Sequence, residues 1–295
     1  MHYSIQYLEE ISGIKAHTIR IWEQRYNLLK PQRTASNIRY YDDSQLRKLL
    51  NVTTLLELGY KISHIANLSN TQLIQELKKK LDEGDSTLSF NHFTNELIVS
   101  SLNFDTASFE KQFSSCVLKF GFSTTIEKIL YPTMKRIGVL WQLEEMNPSQ
   151  EHFISNLIRQ KLYSAIDGLP APVSSPKTCI LFLPENEYHE IGLLYFNYLL
   201  IRSGIKAIYL GANLPLNSLK HASDHLNPSH LVFFMIKTIT PKQSNDYLKK
   251  LCKLFPSQQI ILCGNTPFLQ TIKKINNLVL IDNPEVSKKY FDITS

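Results

Sequence analysis

The segment Glu187-Tyr188-His189-Glu190-Ile191-Gly192 carries the residues best suited to hold a metal centre. It follows an apolar run, Thr178 to Leu183, that reads as a buried strand. A histidine at the carboxyl end of a strand is placed to reach a ligand. Glu187, two residues upstream, can accept a hydrogen bond from one ring nitrogen while the other binds a metal. Such a carboxylate orients the imidazole and raises its basicity. Gly192 would let a broad planar ligand approach the next helix closely. The plain alternative is an idle loop histidine. A second set is Trp141 followed, after nine residues, by Glu151-His152. If Trp141 ends one helix and Glu151-His152 opens the next, an aromatic ring, a carboxylate and an imidazole could face one cavity. That pattern alone is weak. A third set is basic. Thr18, Arg20 and Arg25 sit on or near one face of a short helix, and Arg33, Arg39, Tyr40 and Tyr41 surround a turn at Ser36-Asn37.

The charge agrees with the third set. Residues 1–80 hold 12 Lys/Arg against 7 Asp/Glu, and the other 215 residues hold 20 against 19. A basic excess concentrated in the first quarter of a chain favours a polyanionic partner. The four cysteines, Cys116, Cys179, Cys252 and Cys263, form no Cys-x-x-Cys pair, which argues against a zinc site. No triad or Walker loop emerges, so an enzyme is not expected. His221, His225 and His230 read as surface or helix-end residues. The N-terminus lacks an apolar signal core. The most apolar stretch, Ile191 to Ile201, falls short of the roughly 20 residues a membrane span needs. No membrane partner is expected, and the expected location is cytoplasmic.

The elements that must position these residues fall into three segments: 1–80, 90–168 and 177–295. In the first, helices over Ser4 to Ile11 and Lys15 to Gln24 are joined by Gly13, a helix-turn-helix pattern. Pro31 ends helix formation, and a β-hairpin wing follows. Asp43-Ser44 then caps a helix from Gln45 to Leu58 that stops at Gly59. Asp82 to Ser89 reads as a polar linker. The second segment predicts a four-helix bundle, with helices near 91–101, 105–120, 123–140 and 148–166. The third alternates strands at 178–183, 206–210, 230–236, 259–263 and 278–281 with helices at 189–203, 216–226, 241–255 and 268–275. That alternation predicts a Rossmann-like, doubly wound parallel sheet. The fold class is therefore multidomain α and α/β.

The stretch TIRIWEQRYNLLKPQRTASNIRYY closely resembles the signature of the MerR family of winged helix-turn-helix regulators. The match covers about residues 3–70 and rests on Thr18-Ile19-Arg20, Trp22-Glu23, Arg25, Leu28-Leu29, Pro31, Arg33, Arg39 and Tyr41. Asn37 stands where the family's wing turn usually has Gly. The resemblance implies that Thr18 and Arg20 lie on a recognition helix, and that Arg33, Arg39 and Tyr41 make the wing's phosphate contacts with double-stranded operator DNA. Arg25 is either a phosphate contact or a structural ion pair. Trp22 is expected in the core.

The segment Glu187-x-His189-x-x-Gly192 resembles the Asp-x-His-x-x-Gly motif of cobalamin-binding domains, with Glu for Asp. Together with the bundle and the Trp-x(9)-Glu-His pattern, nearly the whole chain resembles the CarH/LitR-type light-sensing repressors. These join a MerR-like domain to an adenosylcobalamin photosensor. The resemblance implies that His189 is the lower cobalt ligand, the only metal ligand, and Glu187 its orienting partner. It further implies that Trp141, Glu151 and His152 line the upper face around the adenosyl group. Gly192 and Gly264 would also contact the cofactor. Light would break the cobalt–carbon bond and shift a homo-oligomer, a dimer or a cofactor-bound tetramer, away from its DNA-binding form. Repression follows from the same analogy.

Three departures stand out. Gln142 replaces the histidine that follows the tryptophan, and an amide is a poor cobalt ligand. Met235-Ile236-Lys237 stands where Ser-x-Leu is usual, and Cys263-Gly264 where Gly-Gly is usual. The last two predict an altered or closed pocket for the cofactor's nucleotide tail. The alternative function is a cofactor-independent regulator with a degenerate cobalamin domain, acting through protein contacts.

Overall fold

The computed structural model describes residues 2–82, 86–142, 146–170, 175, 177–236, 240–282 and 284–291. The chain forms two compact units, Met1–Asn156 and Leu157–Ser295.

The first unit opens with α1 (Ile5–Ser12), capped by Ser4 and closed by Gly13 at φ 71°. Next come α2 (Ala16–Tyr26), the two-stranded hairpin β1 (Gln32–Arg33) and β2 (Arg39–Tyr40), and α3 (Asp43–Glu57). The α3 cap is Asp42, one residue earlier than the sequence reading, because its carboxylate accepts the Gln45 N–H. Then follow α4 (Ile62–Ile65), α5 (Asn70–Asp82), α6 (Ser86–Leu102), α7 (Thr106–Phe120), α8 (Phe122–Thr125), a π-helical turn (Ile126–Leu130) and α9 (Tyr131–Gln142). The expected linker at 82–89 is instead helical at both ends, in α5 and α6. Its polar residues were misread, because a helix with one solvated face is also polar on that face.

The head and the helical segment pack directly. Asn95 of α6 donates to Thr54 of α3 at 3.4 Å and accepts from Arg136 of α9 at 2.6 Å. Asn91 donates to Glu57 at 2.9 Å, and Arg47 lies 3.7 Å from Glu96. Buried α3 residues such as Leu46, Leu49 and Leu50 supply the apolar part of this core.

The division between the units falls within α10 (Pro148–Asp167). The second unit is an all-parallel sheet of β3 (Thr178–Pro184), β4 (Lys206–Leu214), β5 (His230–Phe234), β6 (Gln259–Cys263) and β7 (Leu278–Ile281). The order is β4-β3-β5-β6-β7. Helices α11 (Ile191–Arg202), α12 (Leu216–Leu226), α13 (Pro241–Leu254), α14 (Thr266–Leu269) and α15 (Pro284–Phe291) complete it. The interiors of β3, β5 and β6 are buried, as the centre of a parallel sheet covered by helices requires, and the edge strands β4 and β7 are mostly half-buried. Chain direction reverses across the sheet between β3 and β5, so their carboxyl ends open the crevice where such sheets bind ligands. Helix α11 starts at Ile191, two residues later than expected, which leaves His189 in the loop. Strand β5 ends at Phe234, so Met235 and Ile236 lie beyond it. Helix α14 is shorter than the expected 268–275 and begins earlier. All four cysteines are free and buried. Burial pushes the Cys116 and Cys179 thiols up to about 12, so they stay protonated. Among the described residues no helix is long and apolar enough to cross a membrane.

Candidate functional site

The basic face of the first unit is built on α2 and the hairpin. Glu9 fixes the start of α2, accepting the Ala16 N–H at 2.9 Å and pairing with Lys15 at 2.8 Å. Ile19 and Trp22 turn into the core, as expected for Trp22. Arg20 and Arg25 are exposed on the other side, and Thr18 is half-buried. The Arg25 guanidinium lies over the Tyr26 ring, 5.4 Å from its centroid. In the hairpin, Asn37 adopts φ 64°, the left-handed conformation that glycine would supply without cost. The exposed Arg33 donates to the Asn37 side chain at 2.7 Å and holds that turn.

Two expected phosphate contacts sit differently. Tyr41 has no exposed surface. Its backbone bridges Tyr3, with N–H···O distances of 2.8 and 3.0 Å, and its hydroxyl donates to Glu23 of α2. A phosphate cannot reach it without unfolding that contact, so Tyr41 is a fastener between hairpin and recognition helix. Arg39 is half-buried, its Nε 3.4 Å from the same carboxylate. Glu23, 7% exposed, is therefore the residue that orients the hairpin on α2. Its place in the Trp22-Glu23 pair was visible in the sequence, but its partners 16 and 18 positions later were not.

In the second unit, Glu187 is 4% exposed and fully engaged. One carboxylate oxygen accepts the backbone N–H groups of Tyr188 and His189 at 2.9 and 3.1 Å and meets His189 Nδ1 at 2.6 Å. The other accepts the Ile236 N–H at 2.8 Å. Glu187 thus ties the loop after β3 to the segment after β5 across the crevice. The His189 side chain is 60% exposed. With Nδ1 held by Glu187, a metal would be bound through Nε2. The loop is anchored on β4 as well: Asn186 N–H donates to Asn213 Oδ1 at 2.8 Å, and Asn213 N–H donates to the Glu187 carbonyl at 3.1 Å.

Glu190, next to His189, accepts from Arg159 of α10 at 3.0 Å and from Tyr209 of β4 at 2.9 Å. Burial and this carboxylate push the Tyr209 hydroxyl well above its ordinary range. Nothing in the sequence pattern pointed to this trio, since its members lie 19 and 31 positions apart.

The two glycines assigned to a ligand have other neighbours. A Cβ on Gly192 would lie 2.8 Å from the Phe234 ring, so this glycine lets α11 seat against the end of β5. A Cβ on Gly264 would lie 3.1 Å from Phe268 and 3.3 Å from Leu269. Both glycines thus have side-chain neighbours of their own. Met235 is buried in a cluster with Phe182, Phe233, Leu262 and Leu269, with Phe268 and Tyr247 packed against it; Cys263 is buried as well.

Trp141, at the end of α9, is 53% exposed. Glu151 opens α10 and accepts from Ser155, and its other oxygen lies 3.6 Å from Nδ1 of the largely exposed His152. The Gln142 side chain and Lys237 lie outside the described residues.

Residues 3–72 match the profile described as MerR HTH family regulatory protein, and residues 94–165 match the B12 binding domain. The HTH-type transcriptional repressor CarH of Myxococcus xanthus is 25% identical over 256 residues, 85% of this chain and 84% of that protein. The repressor CarA of the same organism is 24% identical over 267 residues, 87% of this chain and 85% of that protein. This chain is a CarH/CarA homologue with a MerR helix-turn-helix domain and a B12 binding domain. In three dimensions it is similar to the Methanosarcina barkeri monomethylamine corrinoid protein. The TM-score is 0.54 at 19% identity, over 68% of this chain and 96% of that one. That likeness fixes the fold of this CarH/CarA homologue: a helical segment followed by a Rossmann-like unit.

The residues present fit one part of a cobalamin and not another. An exposed imidazole held by a buried carboxylate is the right donor for the lower face of a cobalt centre. At the ends of β5 and β6, where the tail motifs depart, Met235 is buried with Leu269 and Phe268, and both of the latter stand beside Gly264.

Proposed function

We propose that this CarH/CarA homologue is a DNA-binding transcriptional repressor whose operator affinity responds to an adenosylated corrinoid, adenosylcobalamin being the reference compound, and to light. The observation that carries the reading is His189, exposed on a loop and held by the buried Glu187, in a chain whose first unit presents an arginine-bearing helix and hairpin. The bound cofactor supplies a light-labile cobalt–carbon bond. The chain's residues supply the rest. His189 Nε2 binds the lower face, and Glu187 holds the ring through Nδ1. Glu190, through Arg159 and Tyr209, keeps the loop from following the ring. Trp141, Glu151 and His152 are assigned to the upper face. Arg20, Arg25 and Arg33 meet the operator's phosphates and base edges, with Thr18 beside them on the recognition helix, while Arg39 stays with Glu23. The repressor acts as a homo-oligomer, at least a dimer, with a cofactor-bound tetramer as the assembled form. The domain limits proposed are 1–80, 90–168 and 177–295.

The test is operator binding in the dark and after green light, on protein loaded with the adenosylated corrinoid, with oligomeric state followed by light scattering. A light-dependent fall in both is the expected result. A chain that binds operator but takes up no corrinoid would leave the second reading, a cofactor-independent regulator. The packed ends of β5 and β6 favour that second reading.

A further inference from the structure

We infer that this chain selects corrinoids lacking a coordinating lower base, and binds a complete cobalamin less tightly. The inference rests on the proposed corrinoid reading and refines which member of that class fits.

In a complete cobalamin, a benzimidazole on a flexible nucleotide loop coordinates its own cobalt from the lower face. For His189 to take that position, the base must leave, and base and loop must then be housed somewhere. A protein with a slot for them recovers the lost bond by burying the aromatic base. Here the matching region is occupied by side chains. Met235 is 7% exposed and packs with Leu269 and Phe268, and a Cβ on Gly264 would lie 3.1 Å from Phe268 and 3.3 Å from Leu269, so even a methyl group there requires those side chains to give. The Phe182 and Phe233 rings stack behind them with centroids 5.2 Å apart. The lid is strapped down. Asn245 of α13 donates to the Pro241 and Thr271 carbonyls at 2.7 and 3.1 Å, and its Oδ1 accepts the Lys273 N–H at 2.8 Å. Interiors packed this way do not admit a bicyclic base without repacking.

A displaced benzimidazole would therefore hang in water, with its cobalt bond lost and nothing gained. A cobinamide, which ends before the nucleotide, carries only water on its lower face. His189 Nε2 would be the protein's donor to such a corrinoid in place of that water, with the Nδ1 proton kept in the hydrogen bond to Glu187. No base needs a place. The order of affinity expected from a slot-bearing protein is thereby reversed.

The experiment uses the full chain in the dark, titrated with adenosylcobinamide and with adenosylcobalamin and read by visible absorbance and calorimetry. The expected result is a Kd for adenosylcobinamide at least tenfold lower. His189→Ala should erase that difference, since without the competing imidazole the internal base need not leave. In the cobalt(II) form with cobinamide, 15N-histidine labelling should change the splitting from the axial nitrogen, because that nitrogen belongs to the protein. Equal or tighter binding of adenosylcobalamin overturns the inference and leaves the proposed function standing. Failure to bind either compound overturns both.

Discussion

The Arg33 hairpin and the His189 loop are built on the same device and use it differently. Each hangs on one buried glutamate. Glu23 holds Tyr41 and Arg39, and Glu187 holds His189, two neighbouring amides and the amide of Ile236. In the head, the groups left for the ligand are several arginines spread over α2 and the hairpin. Each phosphate contact adds a modest, salt-screened increment, so losing one grades the affinity. In the second unit the whole load falls on one imidazole, and a metal bond is either made or not. The head should respond to substitution in steps, and the His189 loop should switch off.

The sharpest break of that contrast is His189→Ala. Corrinoid uptake should fall by at least roughly 100-fold, since even an orienting partner is worth 10–100-fold. Operator affinity of the ligand-free chain should stay within about twofold. Spectroscopic titration and a gel-shift series measure the two, and an unaltered titration would remove the contrast altogether.

Glu187→Gln keeps the volume but weakens both the hold on Nδ1 and the acceptor for three amides. Uptake should drop roughly 10–100-fold, with thermal unfolding showing a loss of about 1–3 kcal/mol. If stability falls but uptake does not, Glu187 is only a loop fastener.

Within the head, Arg33→Ala and Tyr41→Phe separate contact from fastening. Arg33→Ala should lower the slope of log affinity against log salt by about one and weaken all sequences alike. Tyr41→Phe should leave that slope unchanged and cost about 1 kcal/mol of stability. A slope that drops in Tyr41→Phe would return Tyr41 to the phosphate contacts.

The smallest effect compares two imidazoles. His92 of α6 is largely buried, and burial lowers its basicity; Glu96 opposes this and Lys119 adds to it. The unfolded histidine protonates near its ordinary 6.5 and the folded one only at lower pH. The unfolded state therefore binds more protons in that window, and stability falls as pH drops below about 6.5. Denaturant melts at pH 7.5 and 5.5 should show a smaller acid loss in His92→Phe. An unchanged loss would assign it to other groups that titrate in that window; the capping carboxylates Asp42 and Asp105, held below their usual range by serine and backbone donors, lose their contribution only in stronger acid.

Much of the architecture was legible because it rests on local rules. The helix-turn-helix follows from Gly13 and the apolar spacing around it, the hairpin from Pro31 and Asn37, and the parallel sheet from five apolar runs at regular intervals. The two glycines mark where local reading ends. A sequence shows that space is needed at Gly192 and Gly264, but not whether a ligand or a phenylalanine ring takes it. The helices at either end of the supposed linker were missed because solvated helix and loop share a polar composition.

By itself, the sequence determined which side chains could carry chemistry: one histidine with a carboxylate two residues before it, and a cluster of arginines near the N-terminus. Those are matters of residue type and short spacing. Only the tertiary structure decided that Tyr41 is spent inside the head, that Glu187 spans two strand ends, and that Phe268 and Leu269 fill the space beside Gly264. These are contacts between residues far apart in the chain, and no local pattern encodes which distant side chain will fill a given space.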